Sequence, residues 1–221
     1  EVEPMWGLLN AVGFGNPSGL IFPGESYGRL KDFELWHPTE RATLSYGYGM
    51  SVTTSQLARA YLTIANGGFS SPLAMVKPDN QANAKVRILD NEVTLVIRDM
   101  LETAVESGTG SLAKVPGYTV AGKTGTVRKS VGGRYLDDQH MAIFAGIFPA
   151  NDPKLVAVVV IDSPSEGGGG LVSAPVFASV MQEAARFLDI PPDRYRAKVA
   201  PAADRFADLD RLEDDLKVEI R

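Results

Sequence analysis

The sequence runs to 221 residues, 44% hydrophobic and 22% charged, enough for one sizeable packed domain or a domain with a tail, and unlike a disordered chain. Its net charge of −5 speaks against a nucleic-acid partner, whose phosphates call for a basic face. With no cysteine, and His37 and His140 as its two histidines, it excludes a disulfide framework, a thiolate metal site and a cysteine nucleophile, and leaves no basis for a His-rich metal site. No metal and no cofactor is expected. No run reaches the roughly 18 apolar residues of a membrane-spanning helix. No signal peptide is visible, and the start Glu1-Val2-Glu3-Pro4 reads as an internal cut in a longer protein.

The first 50 residues read as loop-rich, with Gly13, Gly15, Pro17, Gly19, Pro23 and Gly24 close together. Thr53-Thr54-Ser55-Gln56 has the form of a capping box. Leu57, Ala60, Tyr61, Ile64 and Ala65 then share one helical face, and Asn66-Gly67-Gly68 supplies a left-handed stop. A second helix is expected after Asp90, with Val93, Val96, Ile97, Met100, Leu101 and Ala104 on its face, ending near Ser107-Gly108. Three strands follow, over Tyr118–Val127, Met141–Phe148 and Leu155–Ile161, the last two joined by a loop short enough for a hairpin. A third helix begins at Ser173, with Pro175 in its first turn and Phe177, Val180, Met181, Ala184 and Leu188 toward the core. The strands are apolar on both faces, so the fold class is α+β, an antiparallel sheet covered by helices on both faces. Residues 1–190 form this unit. Residues 191–221 form an acidic tail whose Leu209, Leu212, Leu216 and Ile220 suit a short surface helix or a frayed end.

Three motifs need weighing. Gly117 to Thr124 fits the P-loop formula, but Val115-Pro116 is a poor strand before it and Gly125-Thr126-Val127 a poor helix start after it. Ser111-Leu112-Ala113-Lys114 has the Ser-x-x-Lys spacing of a serine nucleophile and its lysine base. It stands between glycines with Pro116 just beyond, so it reads as a loop. Lys123-Thr124-Gly125-Thr126 offers a cation, two hydroxyls and a strand glycine, which suits a carboxylate ligand that approaches the backbone closely. The same four residues also suit an ordinary edge strand with a solvated lysine. Alternation puts Lys123 and Thr124 on opposite faces, so both can serve one site only at the edge of the sheet.

The blocks around that strand carry a resemblance. Gly122 to Thr126, Phe144-Ala145-Gly146-Ile147-Phe148-Pro149, the run Leu155 to Ile161 and Ser173-Ala174-Pro175-Val176-Phe177 resemble the end of a penicillin-binding protein. Tyr46 to Thr53, Gln56-Leu57-Ala58, Ala65 to Gly68 and Gly108-Thr109-Gly110 resemble the same family, so the likeness covers roughly residues 10–188. It is strongest to class B, division-specific transpeptidases of the FtsI type.

That resemblance implies a serine β-lactamase or penicillin-binding transpeptidase-like fold, incomplete at its N-terminus. It implies acyl transfer from a D-alanyl-D-alanine stem peptide in septal wall synthesis, and acylation by β-lactams. Lys123 is then the cation lining the pocket. The Thr124 and Thr126 hydroxyls hold the substrate carboxylate, the Thr126 N–H is an oxyanion donor and Gly125 keeps the edge open. His140 stands near a position where an aromatic is common, as a pocket wall or a loop residue. Gly167 to Gly170 stands where division-type members often carry aromatics. The family's Ser-x-x-Lys and Ser-x-Asn motifs belong upstream of residue 1, and no Ser-x-Asn occurs in the chain. The nucleophile is therefore expected in an upstream part of the same protein, and this chain alone is expected to be inactive. Implied partners are stem peptides, β-lactams and divisome membrane proteins, with the domain in the periplasm on an inner-membrane anchor. A β-lactam sensor or serine β-lactamase, and a non-catalytic interaction module, stay open as alternatives.

Overall fold

A computed structural model of the chain describes residues 2–20, 22–76, 85–131 and 134–194. The part of the expected tail from residue 195 onward lies outside the described residues.

Helices α1 (Glu3–Ala11) and α2 (Pro38–Leu44) stand in the segment expected to be loop-rich. The nine-residue α1 holds Pro4 in its first turn, and Met5, Leu8, Leu9 and Val12 fall at i, i+3, i+4 and i+7, a helical stripe overshadowed in the sequence by the glycines and prolines that follow; none of its residues is buried. At the start of α2 the Glu40 carboxylate accepts the His37 N–H at 3.0 Å and the Lys31 ammonium at 2.7 Å. Local polar bonds thus start this helix where no apolar periodicity does.

Helix α3 (Thr54–Ala65) begins on the expected capping box. Thr53 Oγ1 accepts the Gln56 N–H at 3.2 Å, and Gln56 Oε1 accepts the Thr53 N–H at 2.9 Å. Gly67 and Gly68 end it at φ +64° and +92°, conformations that favour glycine. A small antiparallel ribbon follows, β1 (Phe69–Ser70) against β2 (Val86–Arg87). Strands of two residues leave no readable alternation. Helix α4 (Asn91–Glu106) comes next.

Strands β3 (Ala121–Val131), β4 (Arg134–Phe148) and β5 (Leu155–Asp162) form the main sheet, antiparallel in the order β3-β4-β5. Beyond the central pairs, β3 and β4 continue as a ribbon through Arg128↔His140 to Val131↔Arg134. The sequence boundaries at Val127 and Met141 therefore fell short. They follow apolar residues, and this part of the hairpin is mostly polar. At the other end β3 starts at Ala121 rather than Tyr118. The Asp193 carboxylate binds both the Thr119 N–H, at 2.8 Å, and the Thr119 hydroxyl, which holds that residue in a junction.

Helix α5 (Ala174–Phe187) covers one face of the sheet. Its Phe177, Met181 and Ala185 meet Phe144 and Phe148 of β4, with Val105, Ala113, Val115 and Val120 around them. On the other face Tyr61, Ile64 and Ala65 of α3 and Leu101 of α4 cover Ala121, Ile147 and Val156. Burial pushes the Tyr61 hydroxyl up to about 12. Helices thus lie on both faces, as the two-sided apolar strands require. The expected face of α4 is only partly inward. Thr94 and Val105 are buried, whereas Val93, Val96 and Met100 are exposed at 43%, 54% and 64%. Val180 and Leu188, expected in the core, are also exposed.

The Phe144 and Phe177 rings pack 4.8 Å apart, tilted 56°. They fit because Gly122 and Gly146 face each other across β3 and β4. A Cβ at Gly146 would lie 2.7 Å from Phe177 Cζ and 2.9 Å from Phe144 Cε1. Overpacking of this kind costs about 1–3 kcal/mol. Gly146→Ala is expected to lower the urea midpoint accordingly, and Phe177→Leu in the same chain to recover part of the loss. Equal midpoints for Gly146→Ala and the parent sequence would show that the rings have room to spare.

Candidate active site

Both decoy motifs resolve in the local structure. Thr124 is followed by seven more residues of strand, so the P-loop formula has no helix to present phosphate-binding amides. Ser111–Ala113 is a single 3₁₀ turn. Lys114 is taken up elsewhere, its ammonium donating to the Glu106 carbonyl at 2.8 Å and lying 3.4 Å from the Glu106 carboxylate. Ser111 does, however, line the cleft described next.

That cleft, of about 360 Å³, opens along β3 and is lined by Thr109, Ser111, Leu112, Thr124, Thr126 and the segment Gly168 to Leu171. Three elements build it. Within the main sheet β3 pairs only with β4, so its other edge is free of a strand among the described residues. Lys123 and Thr124 leave the strand on opposite faces, yet the Lys123 ammonium reaches the Thr124 carbonyl at 3.1 Å and its Oγ1 at 3.4 Å. It does so by folding around the edge. A carbonyl that takes this ammonium points away from β4. Alternation of the backbone then turns the Thr126 N–H to the same open edge.

The second element is the loop after α4. Gly110 N–H donates to the Ala104 carbonyl at 3.0 Å, closing the helix end, and Ala113 is fully buried beneath it. Just before Gly110, Thr109 is exposed, and its hydroxyl lies 2.8 Å from that of Thr124. Thr109 is the site residue that the sequence reading passed over. It was visible there only as the middle of Gly108-Thr109-Gly110, with no sign that it meets Thr124.

The third element is the glycine run. Gly169–Ser173 is a π-helical turn, a rare geometry often found at functional sites. Its end is pinned by the buried Ser173 hydroxyl, which donates to the Ala142 carbonyl at 2.9 Å. The run lies directly on the sheet. A Cβ at Gly168 would strike Thr126 Oγ1, one at Gly169 the Ile143 and Gly125 carbonyls, and one at Gly170 the Thr109 carbonyl. The run therefore closes the floor of the cleft with bare backbone, and Gly169 N–H reaches Thr126 Oγ1 at 3.4 Å.

Gly125 behaves differently. A Cβ there would meet Ile143 Cβ at 3.5 Å, an ordinary contact. Nothing within the described chain requires this glycine. His140 lies on β4 rather than in a loop, paired with Arg128. Its Nε2 is 2.7 Å from the Gly167 carbonyl. A carbonyl only accepts, so Nε2 carries the hydrogen. His140 thus ties down the start of the glycine run and is not among the residues lining the cleft. Among the described residues no group of acidic residues and histidines could hold a metal ion.

Lys123, Thr124, Thr126 and Thr109 together form a cationic, hydroxyl-lined edge with backbone above it. Such a site suits an anionic ligand that lies along the strand.

Comparison with known proteins agrees with this architecture. Residues 3–182 match the penicillin binding protein transpeptidase domain. The chain is 45% identical over 203 residues to the probable peptidoglycan D,D-transpeptidase PbpC of Pseudomonas aeruginosa, covering 90% of this chain and 36% of that protein. It is 40% identical over 185 residues to the peptidoglycan D,D-transpeptidase FtsI of Escherichia coli, covering 82% of this chain and 31% of that protein. The apo transpeptidase domain of Burkholderia pseudomallei penicillin-binding protein 3 superposes with a TM-score of 0.82 at 40% identity, over 87% of this chain and 60% of that one. The chain spans about a third of the length of the curated relatives it matches. The register of its sheet, its cationic strand edge and these likenesses agree: the chain belongs to the penicillin-binding protein transpeptidase-domain family.

Proposed function

We propose that this chain is the substrate-holding part of a periplasmic serine D,D-transpeptidase that cross-links peptidoglycan stem peptides and is acylated by β-lactams. The observation that carries the reading is the Lys123 ammonium folded around the open edge of β3 to the Thr124 carbonyl and hydroxyl. A cation and three converging hydroxyls at a free strand edge suit a peptide that ends in a carboxylate and lies beside the strand.

In this reading the terminal carboxylate of the stem peptide sits among the hydroxyls of Thr109, Thr124 and Thr126, with Lys123 as its counter-charge. A serine from the upstream part of the same protein attacks the penultimate carbonyl. The ester bond forms, the serine proton passes to a base, and the terminal D-alanine leaves with its amine protonated. The Thr126 N–H at the open edge receives the developing oxyanion. The acyl-enzyme is then taken up by an amine of a second stem peptide. A β-lactam enters the same way, but its leaving amine stays tethered.

The role of Gly125 follows from its surroundings. A Cβ there makes only ordinary contacts within this chain, so the free space serves what lies against the edge. The same holds for the surfaces left open. The outer edge of β5 pairs with no strand among the described residues, and Val93, Val96, Met100, Val176 and Val180 are exposed on α4 and α5. An apolar edge strand of eight residues is a pairing template, and its cover is the upstream part that carries the serine. The likeness to FtsI supports a septal, division-specific role in class B, with an inner-membrane anchor and divisome membrane proteins as partners. His140 contributes through the glycine run that it holds.

Incubation with a labelled penicillin tests the reading. Intact mass should show no adduct on this chain and a single adduct on the parent protein; a parent that is never acylated sinks it. In the parent, Lys123→Ala should slow acylation on the order of a hundredfold, with an unchanged melting curve. An unchanged acylation rate would remove Lys123 from the site. Gly125→Ala should leave stability within about 0.5 kcal/mol, because the Cβ fits, and Gly125→Val should block acylation. Unimpaired acylation in that variant would mean that nothing approaches the edge at Gly125.

A further inference from the structure

A second pocket, of about 400 Å³, opens between the end of α1, helix α3 and the β1–β2 ribbon, lined by Ala11, Arg59, Ser70, Pro72, Val86 and Ile88 among others. It shares no lining residue with the β3 cleft. Two buried polar atoms of its lining residues have no hydrogen-bond partner, Ser70 Oγ and Arg59 Nε. Ser70 is 4% exposed.

The guanidinium is held in place from its other side. Arg59 Nη1 donates to the Pro17 carbonyl at 3.4 Å. Gly13, at φ +109°, makes room for the group, since a Cβ there would come within 3.1 Å of Nη1. The arginine is thus fixed with its Nε edge unbonded. An Nε–H can only donate, and a serine hydroxyl can donate as well. Buried donors of this kind are ordinarily met by an acceptor. Among the described residues no acidic side chain lines the pocket. Arg59 is thus the one charged side chain among the described lining residues.

We infer that this pocket binds a carboxylate, forked on the Nε edge of Arg59 and accepting the Ser70 hydroxyl, with Ala11, Val86 and Ile88 around its apolar stem. Arginine suits this task because its planar donors match both carboxylate oxygens. Two sources supply the same chemistry, a small free acid or an acidic side chain of the parent protein beyond this chain. The site stands independently of the transpeptidase reading.

The test follows the Arg59 Nε–H resonance in the parent protein, labelled in its arginines, as sodium acetate is added against sodium chloride of equal ionic strength. The signal is assigned by its loss in Arg59→Lys. A free acid as the ligand predicts a saturable shift in acetate but not in chloride, with affinity weakened about fivefold in Ser70→Ala. An internal side chain predicts a resonance already shifted and protected from exchange without acetate, and partly released in Ser70→Ala. A resonance that exchanges freely and responds alike to acetate and chloride overturns the proposal. So does a Ser70→Ala protein indistinguishable from the parent.

Discussion

The Phe144 ring occupies the space that Gly122 and Gly146 leave open, and this fit determines which side of β3 each residue faces. Side chains alternate along a strand, so a slip of one residue would exchange the two faces completely. With Gly122 opposite Gly146, Thr124 and Thr126 lie on the α5 side, where the glycine run packs. Lys123 and Gly125 lie on the α3 side. A Cβ at Gly122 or Gly146 would run into the phenylalanine rings. Burying two such rings stabilises by about 1.5–3 kcal/mol each, so the register is set by the core and not by the site.

The site depends on that register but is assembled from pieces that make few core contacts. Thr109 reaches Thr124 because α4 ends where it does, and α4 ends there because Gly110 and Ala113 fold its last turn onto Val105 and Phe144. The glycine run can lie on β3 because it has no Cβ atoms to hold it away. Its two anchors are polar: Ser173 on the Ala142 carbonyl and His140 on the Gly167 carbonyl, both on β4. One strand therefore supplies the ring that fixes the register and the anchors that bring the opposite wall of the cleft to it.

Much of this was legible in the sequence where apolar periodicity or capping chemistry carries the information. The capping box at Thr53, the glycine stop at Gly67-Gly68 and the three strands could be read because their signals are local. α2 could not, since it shows no apolar stripe, and the short stripe of α1 at Met5, Leu8 and Leu9 was lost beside the glycines and prolines that follow it. The outward face of α4 was misread for the opposite reason. Its Val93, Val96 and Met100 have the spacing of a core stripe, and periodicity alone cannot tell a covered face from an open one. Lys123, Thr124 and Thr126 were singled out because a resemblance made a four-residue motif specific. Thr109 was missed because its contact with Thr124 joins residues 15 apart in sequence through a loop of irregular geometry. The tetraglycine was read as a loss of side chains. Its glycines are instead where a wall of backbone needs to approach carbonyls closely.

Among the described residues both outer edges of the sheet are unpaired, and they differ in kind. β5 is apolar nearly throughout, and both of its faces carry helix contacts, so its edge asks for another strand. β3 carries a lysine folded across its edge, hydroxyls beside it and a glycine that its own neighbours do not need. Lysine at an edge discourages pairing with a foreign strand, because a desolvated ammonium would be left without a partner. A ligand with its own negative charge reverses that penalty. The feature that discourages a covering strand on β3 is thus the same one that suits the anionic peptide proposed as its ligand.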